Sequence, residues 1–327
     1  MTENEKILTI SQTYARGKER LAEIGYKRVL PPGSSTSSTI DANRKYLDSL
    51  FFRTRFFNPS IVDTGLKIFG VNLRTPIFCS PLSGFNELSE TALTDIASGL
   101  KNAGSLLMLG IGGTAEVQRA IDTGVPVVKI IKPYKKADFI YKKLKDAENR
   151  GCVAVGMDID HFYGASRGDT VDMMDIFGPQ NTDMLQQLIS STKLPFIIKG
   201  VLSVQDAEEA VRIGARAILV STHGSASVDF AIPSTIALTD IEKAVSDRIT
   251  VLVDTGFKTG NDVLKALALG AKAVGFASSI FLAWGAGESR GVENLINQIT
   301  AELARTMAAT GCSNLSAVDR SIIVQVI

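Results

Sequence analysis

From residue 76 onward the chain repeats one pattern: a short apolar run rich in β-branched residues, then a longer polar segment with apolar positions at helical spacing. Short apolar runs of this kind suit parallel strands buried on both faces, and the amphipathic segments between them suit crossover helices. The runs fall at Pro76–Ser80, Ser105–Leu109, Pro126–Ile131, Cys152–Asp158, Pro195–Lys199, Ala217–Ser221, Ile249–Asp254 and Ala273–Phe276. Eight strand–helix units in series predict closure into a (β/α)8 TIM barrel of the α/β class. The rival is an open doubly wound sheet, which expects a Gly-x-Gly-x-x-Gly after its first strand, and none stands there. Local signals punctuate the helices: Ser203 precedes Val204–Ile213 with Gly214 behind, and Gly260–Asn261 precede Asp262–Leu269 with Gly270 behind.

Residues 1–75 do not follow the repeat. They hold a charged helical stretch (Ile10–Ile24), a polar Ser/Thr-rich segment (Gly33–Ser38), a second helix and a short strand pair around Phe56–Val71. The expected organisation is therefore an N-terminal extension, 1–75, packed on a barrel formed by 76–327. Helical spacing over Glu293–Met307 predicts the last barrel helix, and Gly311–Ile327 should pack as a terminal element.

Composition narrows the function classes. The chain has 327 residues, 45% hydrophobic and 21% charged, as a soluble globular protein does. Lys plus Arg (35) nearly equals Asp plus Glu (34), so no global field attracts nucleic acid or an anionic membrane, and a small-molecule ligand is expected. The polar stretch Met1–Leu8 and the lack of any run near the roughly 18 apolar residues of a span point to a cytoplasmic protein. Cys79, Cys152 and Cys312 lack metal-ligand spacing and read as buried thiols, and His161 and His223 are the only histidines. No metal site is expected.

In barrels of this kind chemistry gathers at the C-terminal ends of the strands. Those ends here read Ser80-Pro81-Leu82-Ser83-Gly84, Asp158, Lys199-Gly200, Ser221-Thr222-His223-Gly224 and Asp254-Thr255-Gly256-Phe257-Lys258. An imidazole that changes charge near neutral pH, beside a carboxylate that favours its protonated form, makes a general base. Lys199 at a barrel mouth either snorkels to solvent or meets negative charge in the cavity. The loop Gly256–Gly260 with Lys258 suits a phosphate, or is a structural turn.

Together these residues resemble the FMN-dependent 2-hydroxy-acid oxidase and dehydrogenase family, over nearly the whole chain from Phe52-Arg53 to Gly311-Cys312. The likeness is strongest in Ile198-Lys199-Gly200-Val201, in Ile218–Gly224 and in Asp262–Ala271. It implies His223 as the active-site base, with Thr222 where the family has Asn. It also implies Asp158 as support of the imidazolium, and Lys199 as the cation that stabilises negative charge on the reduced flavin. FMN is the implied cofactor, held by Ser80, Pro81, Leu82, Gly110, Lys199, Ser221, Gly224, Asp254, Gly256, Lys258, Ala277 and Ser278. A homo-oligomer, by resemblance a tetramer, is implied as well.

Departures from the family pattern bear on substrate. Asp254-Thr255-Gly256-Phe257-Lys258 replaces Asp-Gly-Gly-x-Arg, and Ala277-Ser278 replaces Gly-Arg, so one phosphate cation remains of two. The arginine three residues after the histidine, which clamps the substrate carboxylate, is Ala226. The tyrosine pair near the N-terminus becomes Thr13-Tyr14, and the strand-three Gln-x-Tyr becomes Ile130-Ile131-Lys132, or that register shifted by one. Losing a buried charge-assisted bond costs roughly 2–5 kcal/mol; Arg167 and Lys132 are the cations that could compensate at the substrate, the alternative for either being a solvated surface position. The resulting expectation is an FMN-dependent oxidoreductase acting on a small hydroxylated compound. The alternatives are a flavin-dependent isomerase on the same barrel and a flavin-binding protein without turnover.

Overall fold

Apolar runs with no polar face fold as strands only where helices cover one side and other strands the opposite side. The computed structural model, which describes residues 7–26, 36–57, 61–162, 176–245 and 247–326, meets that requirement. Helices α1 (Ile10–Glu23) and α2 (Ser38–Ser49) lead to a short strand β1 (Leu50–Phe52) and a hairpin of β2 (Leu66–Ile68) and β3 (Val71–Leu73). Then come β4 (Ile77–Leu82), α3 (Ala92–Ala103), β5 (Leu106–Leu109), α4 (Thr114–Asp122), β6 (Val127–Ile131), α5 (Ala137–Arg150) and β7 (Ala154–Asp158). The second half runs α6 (Thr182–Ser190), β8 (Phe196–Val201), α7 (Val204–Arg212), β9 (Ala217–Val220), α8 (Ser234–Val245) and β10 (Thr250–Val253). It closes with α9 (Gly260–Ala268), β11 (Ala273–Phe276), α10 (Ser278–Thr310) and β12 (Ile323–Gln325).

Strands β4 to β11 form a closed parallel barrel in which β11 pairs with β4. The eight expected runs are its eight strands. Alternation along each strand divides the apolar side chains into two sets. Phe78, Leu106, Met108, Val128, Ile130, Ile197, Leu219 and Leu252 fill the barrel interior, where Leu66, Ile68 and Leu73 of the β2–β3 hairpin join them and plug the N-terminal end. The other set, including Ile131, Met157, Ile198 and Val220, packs against the helical layer. With one end plugged, the chemistry is left to the C-terminal mouth.

Several boundaries differ from the sequence reading. The short hairpin lies at Leu66–Leu73, later than the expected pair, because Phe69 and Gly70 adopt the left-handed turn that joins its strands. Thr259, rather than Gly260–Asn261, caps α9 by accepting the N–H of Asp262. The last helix begins at Ser278, directly after β11, and is broken at Gly287 and Glu288 before continuing to Thr310. The terminal element contains β12, antiparallel to β1, a pairing that joins the C-terminal element to the strand that follows α2. The three cysteines are free and buried.

Residues of the N-terminal segment fasten the loop after β10. The Tyr14 hydroxyl donates to the Lys258 carbonyl at 2.7 Å. Asn43 donates to the Thr255 carbonyl at 3.1 Å, while Arg44 grips the buried Asp262 through two bonds of 3.0 and 2.9 Å. Asp262 in turn accepts the Lys258 N–H at 2.9 Å. Helix α1 reaches this position by close approach to α10: a Cβ on Gly17 would overlap the Leu282 carbonyl oxygen. Gly17→Ala should therefore lower unfolding stability by about 1–3 kcal/mol, as overpacking of a tight interface does, and chemical denaturation would show it. An unchanged midpoint would mean that α1 is not seated against α10 as described.

Candidate active site

The two-residue step that places apolar side chains inside the barrel carries polar ones to its mouth. One step beyond Phe78 is Ser80, beyond Ile130 is Lys132, beyond Ile197 is Lys199, beyond Leu219 is Ser221 and beyond Leu252 is Asp254. Asp158 ends β7 between Lys132 and Lys199, its Cα being the ladder partner of Lys199. All six side chains are buried.

Asp158 is the hub. Its Oδ1 accepts from Lys199 Nζ at 2.9 Å and its Oδ2 from Lys132 Nζ at 2.6 Å, so each carboxylate oxygen holds one ammonium. His223 brings Nδ1 to the same group, 3.4 Å from Asp158 Oδ2, 3.2 Å from Lys199 Nζ and 3.1 Å from Asp160 Oδ1. The ring itself is 26% exposed, in contrast to its partners. His161 stacks on it with centroids 4.9 Å apart and rests edge-on against Phe177 at 5.6 Å. Asp160 and His161 were not among the sequence candidates. They lie beyond the strand end, where the alternation no longer predicts direction; their signal was only two more ionisable residues within three of Asp158.

The electrostatics follow from this packing. Burial alone would push the Asp158 carboxyl up, but the charges of His223, Lys132 and Lys199 more than reverse that and hold it well below the usual carboxylate range. Burial and then the neighbouring Asp158 charge raise Asp160. Burial lowers Lys132 despite its tie to Asp158. Lys199 goes the other way, because Asp158, Asp160 and Asp254 together outweigh its burial. Burial disfavours the His223 imidazolium, yet Asp158 and Asp160 prevail over the two lysines and raise it. His161, buried and facing Lys132 and His223, is pushed down to about 3 and stays neutral at physiological pH.

Asp158, Asp160 and His223 present ligand atoms within 4.8 Å of one another, the spacing of a metal site. Two ammonium groups already occupy both oxygens of Asp158, where a cation would have to bind. The donor set suits an organic ligand instead.

His223 sits on a costly backbone. His223, Gly224 and Ser225 have successive φ angles of 54°, 64° and 59°, a left-handed run that costs non-glycine residues on the order of 1–3 kcal/mol each. It is held by the Ser221 hydroxyl, which accepts the His223 N–H at 3.2 Å, and by Ala226, whose N–H donates to the His223 carbonyl at 3.2 Å. Ala226 thus closes the turn.

The other candidates fall in two places. Ser80, Pro81 and Leu82 end β4, and the Leu82 carbonyl accepts the Gly110 N–H at 2.8 Å. Gly224 belongs to the left-handed run, and Asp254 accepts from the Thr255 hydroxyl at 3.0 Å. Gly256 and the exposed Lys258 lie on the loop fastened by Asn43 and Tyr14, while Ala277 and Ser278 are exposed at the start of α10, which has no side-chain cap. The Tyr14 hydroxyl contacts both the Lys258 carbonyl and the Ser279 side chain, so it ties the Lys258 loop to the first turn of α10. Arg167 lies outside the described residues.

The mouth has polar atoms in need of a partner. Among the described residues, the buried hydroxyls of Ser80, Thr222, Ser225 and Ser227 make no hydrogen bond. A buried hydroxyl left unpaired costs about 1–3 kcal/mol. A flat heterocycle with polar edges and a phosphate tail would supply such partners, the Lys199 ammonium a counter-charge, and the Lys258 loop with the α10 N-terminus a phosphate site. The residues present fit a flavin mononucleotide.

A closed barrel that gathers an imidazole, two carboxylates and two ammoniums at its C-terminal mouth, beside hydroxyls in need of partners, has the architecture and donor set of the barrel proteins that work with a flavin. The comparisons specify it. Residues 19–176 and 171–325 match the FMN-dependent dehydrogenase family, and the chain belongs to that family. It is 27% identical over 340 residues to glycolate oxidase 3 of Arabidopsis thaliana, covering 93% of this chain and 92% of the relative. It is 41% identical to human 2-hydroxyacid oxidase 2 over 134 residues, 41% of this chain and 38% of the relative. A mandelate oxidase structure superposes with a TM-score of 0.89 at 26% identity, covering 98% of this chain and 99% of that one. FMN is therefore its cofactor and oxidoreduction its chemistry.

Asp158→Asn leaves two buried ammoniums without their shared counter-charge, and should lower stability at pH 7 by about 3–5 kcal/mol. Because the folded pKa of Asp158 is depressed, its contribution is complete above the unfolded value of about 3.9 and is lost as pH falls through the folded value. Urea unfolding at a series of pH values should show the gap between wild type and variant narrowing as pH falls below about 4. A gap that did not change on acidification would contradict the ionised hub.

Proposed function

We propose that this protein oxidises a small 2-hydroxy acid to the corresponding 2-oxo acid, with His223 as the base that takes the proton of the substrate hydroxyl. The observation that carries the reading is the position of His223. Its contacts with the charged groups of the described residues run through Nδ1, and the ring is partly exposed at the mouth while Asp158 and Lys199 are buried and Asp160 is less exposed than the ring. Asp158 and Asp160 favour the imidazolium that forms when the ring accepts a proton. FMN, when bound, supplies the two-electron acceptor. Ser80, Thr222 and Ser225 would offer it hydrogen bonds, Lys199 a counter-charge, and Lys258 with the start of α10 a phosphate site.

The relatives named as glycolate, 2-hydroxyacid and mandelate oxidases support the substrate class. With Ala226 in the turn after β9, the substrate carboxylate is assigned to Arg167 and to Lys132, the latter shared with Asp158. Residues 1–75 serve as a cap that fastens the phosphate loop, as the bonds from Tyr14 and Asn43 support. The balanced charge supports a small-molecule partner over nucleic acid, and the family resemblance a homo-oligomer; no helix among the described residues is long and apolar enough to cross a membrane.

The test is optical. Protein reconstituted with FMN should bleach on anaerobic addition of glycolate, lactate, mandelate or a larger 2-hydroxy acid, and His223→Ala should slow bleaching by roughly 10²–10⁴-fold, the range of a general base. Protein that bound FMN and was bleached by none of these acids, or a variant that bleached at the wild-type rate, would overturn the reading.

A further inference from the structure

Nδ1 of His223 has two close partners that make incompatible demands. Lys199 Nζ, 3.2 Å away, is an ammonium and can only donate, so its bond needs a bare Nδ1 and places the ring proton on Nε2. Asp160 Oδ1, 3.1 Å away, accepts when that side chain is ionised, so its bond then needs a proton on Nδ1 and leaves Nε2 bare. A neutral ring can satisfy one of them. Only the second arrangement leaves a lone pair on the nitrogen that those partners do not engage.

We propose that Asp160 is the positioning residue that selects the reactive tautomer of His223, holding Nδ1–H against the pull of Lys199 so that Nε2 is free to accept the substrate's proton. This deepens the reading above and rests on His223 being the base. Asp158 is less suited to that role, because it lies 3.4 Å from Nδ1, and the oxygen nearest the ring already accepts from Lys132 at 2.6 Å while the other holds Lys199. The second lysine, standing in the family's strand-three motif, thus ties Asp158 into a three-charge bridge and leaves the imidazole to the carboxylate two residues further on.

The fold makes room for that carboxylate. After Lys199 the β8–β9 register shifts, and Gly200 turns with φ of 99°. A Cβ at Gly200 would stand 2.7 Å from Asp160 Cβ and 2.8 Å from its Cγ. No side chain at 200 is compatible with Asp160 in this position.

A pH consequence follows from the groups that face the ring: Asp158 and Asp160 after β7, Lys132 after β6, Lys199 on β8 with Asp254 behind it, and the stacked His161. Burial and the Asp158 charge raise Asp160. Its protonation on acidification removes the acceptor, leaving Nδ1 to Lys199 whenever the ring is neutral.

The chain has only two histidines, which makes the tautomer directly measurable. Long-range ¹H–¹⁵N correlation spectra of the FMN-loaded full chain, labelled at histidine, distinguish Nδ1–H from Nε2–H. His161 is identified as the signal that disappears in His161→Gln. At alkaline pH, where His223 is neutral, the wild-type ring should carry its proton on Nδ1. Asp160→Ala should move it to Nε2, and Asp158→Asn should leave it on Nδ1. A wild-type ring protonated on Nε2 overturns the proposal without any variant, and so does an Asp160→Ala ring that remains Nδ1–H. The readout needs no substrate: failure of every 2-hydroxy acid to bleach the flavin would remove the proposed reaction and leave the tautomer assignment standing.

Discussion

The mouth of this barrel depends on one buried carboxylate shared by two buried ammoniums. Removing three charges from water costs several kcal/mol per ion, and the arrangement holds only because each oxygen of Asp158 has its own Nζ at hydrogen-bond distance. The parallel ladder supplies that geometry without special loops. Asp158 is registered with Lys199 on β8, and Ile131, which precedes Lys132, is registered with Met157, which precedes Asp158. Three neighbouring strands therefore end in cation, anion, cation, and every other charged group at the site is placed by reference to them.

That the hub is structural as well as chemical explains its depth. His223 needs a fixed charge environment if its protonation is to be set by the protein rather than by solvent, and the ring is the most exposed member of the group. Dry partners behind a partly open ring give strong interactions on the Nδ1 side. The apolar interior and the β2–β3 plug beneath them keep water from approaching that side from below.

Much of this was legible in the chain. Because strand side chains alternate, the inward apolar residues fix which polar residues face the mouth, and Ser80, Lys132, Asp158, Lys199, Ser221 and Asp254 follow by counting. The ambiguity over strand three is removed in the same way: Val128 and Ile130 are interior, so Lys132 is at the mouth. What alternation cannot reach was missed. Asp160 and His161 stand past the end of β7, where direction depends on a chain turn and on the space left by Gly200. The fastening of the Lys258 loop joins residues 244, 212 and 218 positions apart, and nothing local in Tyr14, Asn43 or Arg44 announces it. The hairpin was misplaced because three-residue strands carry too little pattern to fix a register.

The segment after β9 is where local cost and function meet. His223 and Ser225 occupy left-handed backbone, and Thr222, Ser225 and Ser227 bury hydroxyls that nothing in the described protein satisfies. A turn of this kind is unfavourable by itself and persists because β9, the Ser221 hydroxyl and the Ala226 N–H over-determine it. A ligand that hydrogen-bonds those hydroxyls removes part of the cost only in the folded state. Its binding free energy then also stabilises the fold, by an amount set by its concentration relative to its dissociation constant. Cofactor affinity and resistance to unfolding are on this account two measurements of the same unsatisfied groups. Removing one of these hydroxyls weakens the liganded state and relieves the unliganded one, so within this turn affinity and unliganded stability move in opposite directions.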